Sequence, residues 1–185
     1  GLVGSEMCIR DRCSRMMLSI ARLPVPVIAR VQGMATAAGC QLVAQCDLAV
    51  ASTHASFATS GIQYGLFCAT PSVPLVRNIP FKQAMEMLLT GDFMDAETAQ
   101  SQGLVNRVVA PEELDAEVEK LVQAIVQKPA TAVRMGKELL YRQRELGLQA
   151  AYQLAGEVMA CNMMDADAQE GAQAFAQKRV PHWRQ

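Results

Sequence analysis

The chain has 185 residues, enough for about one domain, and its 17 basic and 18 acidic side chains leave a formal net charge of −1. With 51% hydrophobic and 19% charged residues the composition is that of an ordinary globular protein. Such a balance argues against a nucleic-acid or anionic-membrane partner, and no apolar run reaches the roughly 18 residues of a membrane span.

Residues 1–12 show no clear period and lack the pattern of a signal peptide. They resemble translated adapter sequence and are expected to be a non-native leader ahead of an α/β part over 13–109 and a helical region over 110–185. Cys13–Arg22 reads as the end of a helix with Met16, Met17 and Ile20 on one face, closed by Pro24 and Pro26. Val27–Val31 is apolar enough for a strand buried on both faces. After Gly33, Ala35–Gln45 predicts a turn feeding a helix and Leu48–Ala51 a second strand, together a βαβ crossover. Phe57–Phe67 predicts a loop with short extended pieces, and Pro74–Leu89 a mostly helical stretch interrupted at Pro80. Asp95 is placed to cap a short helix ending at Gly103, and Leu104–Val109 predicts a strand. A helix over 111–127 carries an apolar stripe of Leu114, Val118, Leu121, Val122 and Ile125. Further helices are predicted at about 130–144, 148–161 and 166–178.

The six cysteines, Cys8, Cys13, Cys40, Cys46, Cys68 and Cys161, form no C-x-x-C motif, and with only His54 and His182 the sequence offers no metal-ligand cluster. Most lie in apolar stretches, which predicts buried, reduced thiols in a reducing compartment. His54 sits in a polar turn and is expected to be solvated. Asp47, at a helix-to-strand junction, reads as a structural cap rather than a base.

The stretch from Val31 to Gln41 is the most informative. Small side chains at a strand-to-helix turn let a ligand approach the backbone closely. The first N–H groups of a helix have no internal partner and lie at the positive end of its dipole, where an oxygen gaining negative charge is stabilised. Small residues serve tight helix–sheet packing equally well, and the stretch alone leaves both readings open.

Further motifs follow in order: Pro24 to Ala29, Gly33-x-Ala35-x-x-Ala38-Gly39-Cys40, Leu42 to Asp47, Phe57-Ala58, Gly65, Met85 to Gly91, Asp95-Ala-x-x-Ala99, Gly103-Leu-Val, and Glu170-Gly171-x-x-Ala174-Phe-x-x-Lys178-Arg. This series resembles the crotonase (enoyl-CoA hydratase/isomerase) family, from about Cys13 to the C-terminus. The resemblance implies an α/β fold, a spiral of ββα units of which the first turns are missing here. A C-terminal helical region would build homotrimers or hexamers. It implies an acyl-CoA thioester as the small-molecule partner, with coenzyme A arriving as part of the substrate and no separate cofactor. The expected compartment is the cytoplasm of a bacterium or the matrix of a mitochondrion.

The same resemblance assigns site residues. The family stabilises an enolate with two backbone N–H groups; one corresponds to Ala38, between Ala37 and Gly39, and the other is expected upstream of Cys13. Its hydratases hold and deprotonate a water with two glutamates, and those positions read Gln41 and Gly61. Glutamine holds a water but takes no proton, and glycine supplies nothing. Tyr64 and Cys68, with Thr59 and Ser60, fall near the expected pocket, without a His or acid placed to activate a nucleophile. Phe175 and Lys178 match positions that touch the CoA adenine and phosphate, although a helix-end lysine also suits the dipole. Losing acid–base help costs about 10²–10⁴-fold and one oxyanion donor about 10²–10³-fold, so negligible hydratase activity is expected. A non-catalytic acyl-CoA-binding or regulatory protein is the alternative.

Overall fold

The computed structural model describes the backbone of residues 2–184 and the side chains of residues 11–184. The chain separates into two compact units. One takes in the first helix up to Ala21 and residues Val27–Glu119; the other takes in Arg22–Pro26 and the chain from Lys120 onward.

The first unit opens with helix α1 (Leu2–Arg22). Met17 and Ile20 turn inward, but Met16 is 47% exposed, so the buried face is narrower than the sequence predicts. The strands then alternate between two small sheets. Strands β1 (Ile28–Val31), β3 (Leu48–Ser52) and β6 (Arg107–Val109) form a parallel sheet in the order β1-β3-β6. Strands β2 (Met34–Thr36), β4 (Ser56–Ala58) and β5 (Met94–Asp95) form the other, with β2 parallel and β5 antiparallel to β4. Each turn of the chain lays one strand in each sheet, which is the expected spiral of ββα units. Strand β2 corrects the sequence reading, which has a turn there. Three residues carry no period of their own, and the partner that makes them a strand, β4, lies some twenty positions on.

Helix α2 (Ala38–Gln45) follows β2, and α3 (Ala69–Asn78) and α4 (Phe81–Thr90) follow β4. Helix α3 starts five residues before the predicted Pro74. Pro71 lies in its first turn, where an N–H has no partner to lose, and Pro74 forgoes only the bond to the Thr70 carbonyl. Helix α5 (Ala96–Ser101) is capped by Asp95, whose carboxylate accepts from Thr98 N–H at 2.7 Å. The strand expected from Leu104 begins only at Arg107. Leu104 and Val105 turn their N–H groups back to the Ala99 carbonyl, and the Asn106 side-chain oxygen accepts from Ala49 N–H at 2.8 Å, replacing a ladder rung. The core of this unit gathers Phe57, Leu75, Leu88, Met87 and Val43 around the two sheets.

Helix α6 (Leu114–Val126) runs out of the first unit with the predicted stripe as its shielded side. In the second unit, α7 (Ala130–Gln143), α8 (Leu148–Met163) and α9 (Ala166–Ala176) lie where the sequence places them, within two residues at each end. Helix α8 leaves Leu148, Tyr152, Met159 and Met163 exposed on this chain.

Candidate active site

The turn between β2 and α2 is the most constrained backbone in the first unit. Ala37 adopts φ 47°, ψ −113°, a region that side-chain-bearing residues rarely enter. It is held there from both sides. Its N–H donates to the Ala58 carbonyl at 3.0 Å, and its own carbonyl accepts from Gln41 N–H at 2.9 Å, closing the first turn of α2. The N–H groups of Ala38, Gly39 and Cys40 therefore have no partner within the helix and sit at its positive end. Ala38 and Gly39 are exposed. A Cβ at Gly39 would meet nothing within 4 Å, so packing does not force this residue to be small.

Gln41 lies one turn on, over this helix start. It is only 4% exposed, and its Oε1 accepts weakly from the Cys13 thiol at 4.0 Å. Gly61 belongs to a 3₁₀ turn, Ser60–Tyr64, which follows β4. A Cβ at Gly61 would stand 2.6 Å from the Leu66 carbonyl oxygen and 2.7 Å from Cys68 Sγ, so the space for a side chain at 61 is already filled. Cys68 is buried immediately before α3, whereas Tyr64 is 85% exposed. Thr59 is committed to structure: its hydroxyl donates to the Met87 carbonyl at 2.9 Å. Ser60 is half-buried.

Asp47 has the predicted capping role, accepting from Val27 N–H at 2.7 Å. His54 is exposed, as expected. Among the described cysteines, Cys40 and Cys68 are buried, Cys13 and Cys46 half-buried, and Cys161 exposed, the last against expectation because the side of α8 that carries it is open on this chain. Cys8 lies outside the residues whose side chains are described. Burial, with a smaller contribution from the nearby Cys68, pushes the Cys40 thiol up to about 12, which keeps it protonated. Among the described residues no three His, Cys, Asp or Glu side chains are grouped to hold a metal ion.

Phe175 and Lys178 belong to the second unit. Phe175, near the end of α9, is 87% exposed, and Lys178 falls just past the helix with φ 55° rather than within it as predicted. Beyond it the chain folds back on α9. Arg179 makes a two-pronged pair with Glu170 at 2.5 and 2.8 Å, and Glu170 also accepts from His182 N–H at 2.9 Å. These donors hold the Glu170 carboxyl at about 2. Trp183 packs over Gly171 and donates to the Gln127 carbonyl at 2.8 Å.

Two features escape the sequence reading: the left-handed backbone of Ala37 and the intrusion of Cys68 into the place of a side chain at 61. An alanine gives no warning of positive φ, and Cys68 lies seven positions beyond Gly61.

Comparison with known proteins adds a second line of observation. A family model described as enoyl-CoA hydratase/isomerase matches residues 3–185. Enoyl-CoA hydratase domain-containing protein 3, mitochondrial, of Xenopus laevis is 48% identical over 178 residues, covering 96% of this chain and 60% of the relative. Its Homo sapiens counterpart is 47% identical over 171 residues, covering 92% and 56%. The chain thus spans a little over half the length of these curated relatives. Among solved structures, an enoyl-CoA hydratase of Mycobacterium smegmatis matches with TM-score 0.96 and 58% identity over 97% of this chain and 70% of that one. Human enoyl-CoA hydratase domain-containing protein 3 matches with TM-score 0.92 and 47% identity over 95% and 69%.

Proposed function

The chain belongs to the enoyl-CoA hydratase/isomerase family, and on that premise we propose that it binds acyl-CoA thioesters with the thioester oxygen on the Ala38 N–H. The observation that carries this reading is the strained Ala37 turn, which leaves unpartnered N–H groups at an exposed helix start. An oxygen that gains charge as the thioester becomes an enolate is stabilised by such fixed donors without reorganisation. Ala37 and Gly39 border that oxygen, and Tyr64 and Cys68 line the acyl side. Phe175 and Lys178 are the contacts offered to the CoA adenine and phosphate. No cofactor is needed beyond the coenzyme A that the substrate carries. The exposed apolar residues of α8 fit a homotrimeric or hexameric assembly. The mitochondrial names of the vertebrate relatives support a matrix location for a eukaryotic source, and the same chemistry suits a bacterial cytoplasm.

Hydration is the weakest activity of this site. Gln41 holds a water without accepting its proton, and position 61 has no room for a carboxylate. Without general-base help, hydration falls about 10²–10⁴-fold below that of a glutamate-bearing hydratase. Enolate chemistry that needs fewer groups, such as isomerisation or decarboxylation, remains open to the turn at Ala38. The filled space at 61 also favours a second reading, an acyl-CoA-binding protein that regulates without turnover. Calorimetric titration with butyryl-CoA tests both readings, since each requires saturable binding and neither survives its absence. A crotonyl-CoA hydration assay separates off the claim about hydration: a rate within tenfold of ordinary hydratases refutes it.

A further inference from the structure

We propose that Glu170 is a positioning residue for the CoA phosphate contact. Through Arg179 it docks a strap, residues 179–184, on α9, and so holds Lys178 in the backbone conformation that presents its amine to the phosphate. The inference rests on the reading of Lys178 as a phosphate contact and adds what sets that contact.

The first observation is the backbone of Lys178. Its φ is 55°, in the left-handed region that a side chain disfavours. Its N–H donates to the Phe175 carbonyl at 3.2 Å, and the next N–H, of Arg179, donates to the Ala174 carbonyl at 3.0 Å. This pair of bonds closes a helix around one left-handed residue, a place that ordinarily holds glycine. Lysine gains nothing there from the fold. It is exposed, and among the described residues its side chain makes no hydrogen bond or ion pair. A strained backbone that carries an uncommitted cation, three positions beyond the exposed ring of Phe175, suits an external anion rather than packing.

The second observation is what keeps the strap down. Asp167, Glu170 and Gly171 share one face of α9, and each receives part of it. The Glu170 carboxylate takes both prongs of Arg179, at 2.5 and 2.8 Å, and the His182 N–H at 2.9 Å. Asp167, buried, accepts from Arg184 N–H at 2.9 Å. Trp183 lies over Gly171, where a Cβ would come within 3.3 Å of its ring, and donates to the Gln127 carbonyl at 2.8 Å. Arg179 also donates from Nε to Gln177 Oε1 at 2.7 Å, so its guanidinium bridges across Lys178. Glu170 fixes that guanidinium from the body of α9. Without its charge the bridge loosens, and residue 178 spends time in conformations that aim its side chain elsewhere.

The test is calorimetric titration with butyryl-CoA in a double-mutant cycle of Glu170→Gln and Lys178→Met. A turn that keeps the competent arrangement about one fifth of the time raises the apparent Kd about fivefold, and that is the effect expected of Glu170→Gln. Lys178→Met should weaken binding at least as much. In the Lys178→Met background Glu170→Gln should move Kd by less than about twofold, because Glu170 acts through Lys178. If Glu170→Gln fails to fold, Arg179→Gln, which cuts the pair from its other side, takes its place in the cycle. Trp183 is the only tryptophan, so its fluorescence reports on the strap. Glu170→Gln should raise its quenching by acrylamide, and saturating butyryl-CoA should reverse the rise, since coupling between ligand and strap is reciprocal. Losses that simply add, a Kd for Glu170→Gln within about twofold of the unsubstituted chain, or quenching that does not rise or is not reversed, overturns the proposal. If butyryl-CoA binds the unsubstituted chain and any of these results appears, the proposal fails alone; if butyryl-CoA does not bind, the acyl-CoA reading fails with it.

Discussion

Ala37→Gly is the substitution whose outcome depends most directly on the turn before α2. Ala37 is held at φ 47°, ψ −113° by its bonds to Ala58 and Gln41. A side-chain-bearing residue in such a region costs about 1–3 kcal/mol, and glycine enters it freely. Against this gain stands the greater entropy of glycine in the unfolded chain, about 0.4–1 kcal/mol. The net is a stabilisation of about 1 kcal/mol, which in a chain of this size raises Tm by about 2–4 °C. The two backbone bonds are untouched by the change, so the affinity for butyryl-CoA should stay within about threefold. Calorimetric melting and urea titration measure the first quantity, and titration calorimetry the second. A fall in Tm of more than 2 °C would show that the alanine methyl contributes packing that outweighs the backbone strain, and the account of a stored distortion would be wrong.

Gly61→Ala should destabilise the chain by about 1–3 kcal/mol in urea unfolding, because its methyl group enters space held by the Leu66 carbonyl and Cys68 Sγ. Gly61→Glu should for the same reason leave the crotonyl-CoA hydration rate unimproved; a gain of more than tenfold would refute the crowding at that position. Asp47→Ala deprives Val27 N–H of its carboxylate partner and should cost about 1–3 kcal/mol, read from the urea midpoint. Glu170 titrates at about 2 when folded, against an ordinary 4.5. The folded state holds fewer protons in that window, so its contribution to stability is complete above about 4.5 and is lost as pH falls toward 2. Melting of Glu170→Gln across that range should show a shallower acid decline than the unsubstituted chain; parallel curves would refute the role of the Arg179 pair.

Long-period features were legible in the sequence. The stripe Leu114, Val118, Leu121, Val122, Ile125 repeats often enough to declare a helix and its shielded side, and Asp95 announces a cap with its own side chain. The ordered motifs reached the family as well. What stayed hidden depends on partners distant in sequence. Strand β2 exists because β4 pairs with it, and the first residues after Gly103 fail to extend because Asn106 and Ala99 take over their hydrogen bonds. At the site, residue identity placed the helix start at Ala38 and Gln41 but was silent on shape. The φ of an alanine and the meeting of residues 61 and 68 follow from the fold of the segment between them.

The crowding around Gly61 bears on how activity is gained or lost by single mutations. A carboxylate arriving at 61 while Cys68 and the Leu66 carbonyl stay in place is penalised in stability before it confers any chemistry. The order of changes therefore matters: Cys68 must shrink and the Leu66 carbonyl must turn away first, and only then is glutamate at 61 tolerated. The thiol acts as a ratchet on the sequence. Directed evolution toward hydration should find no beneficial single substitution at 61 and gains only where the 66–68 segment changes with it, so position 61 is best randomised together with 66–68.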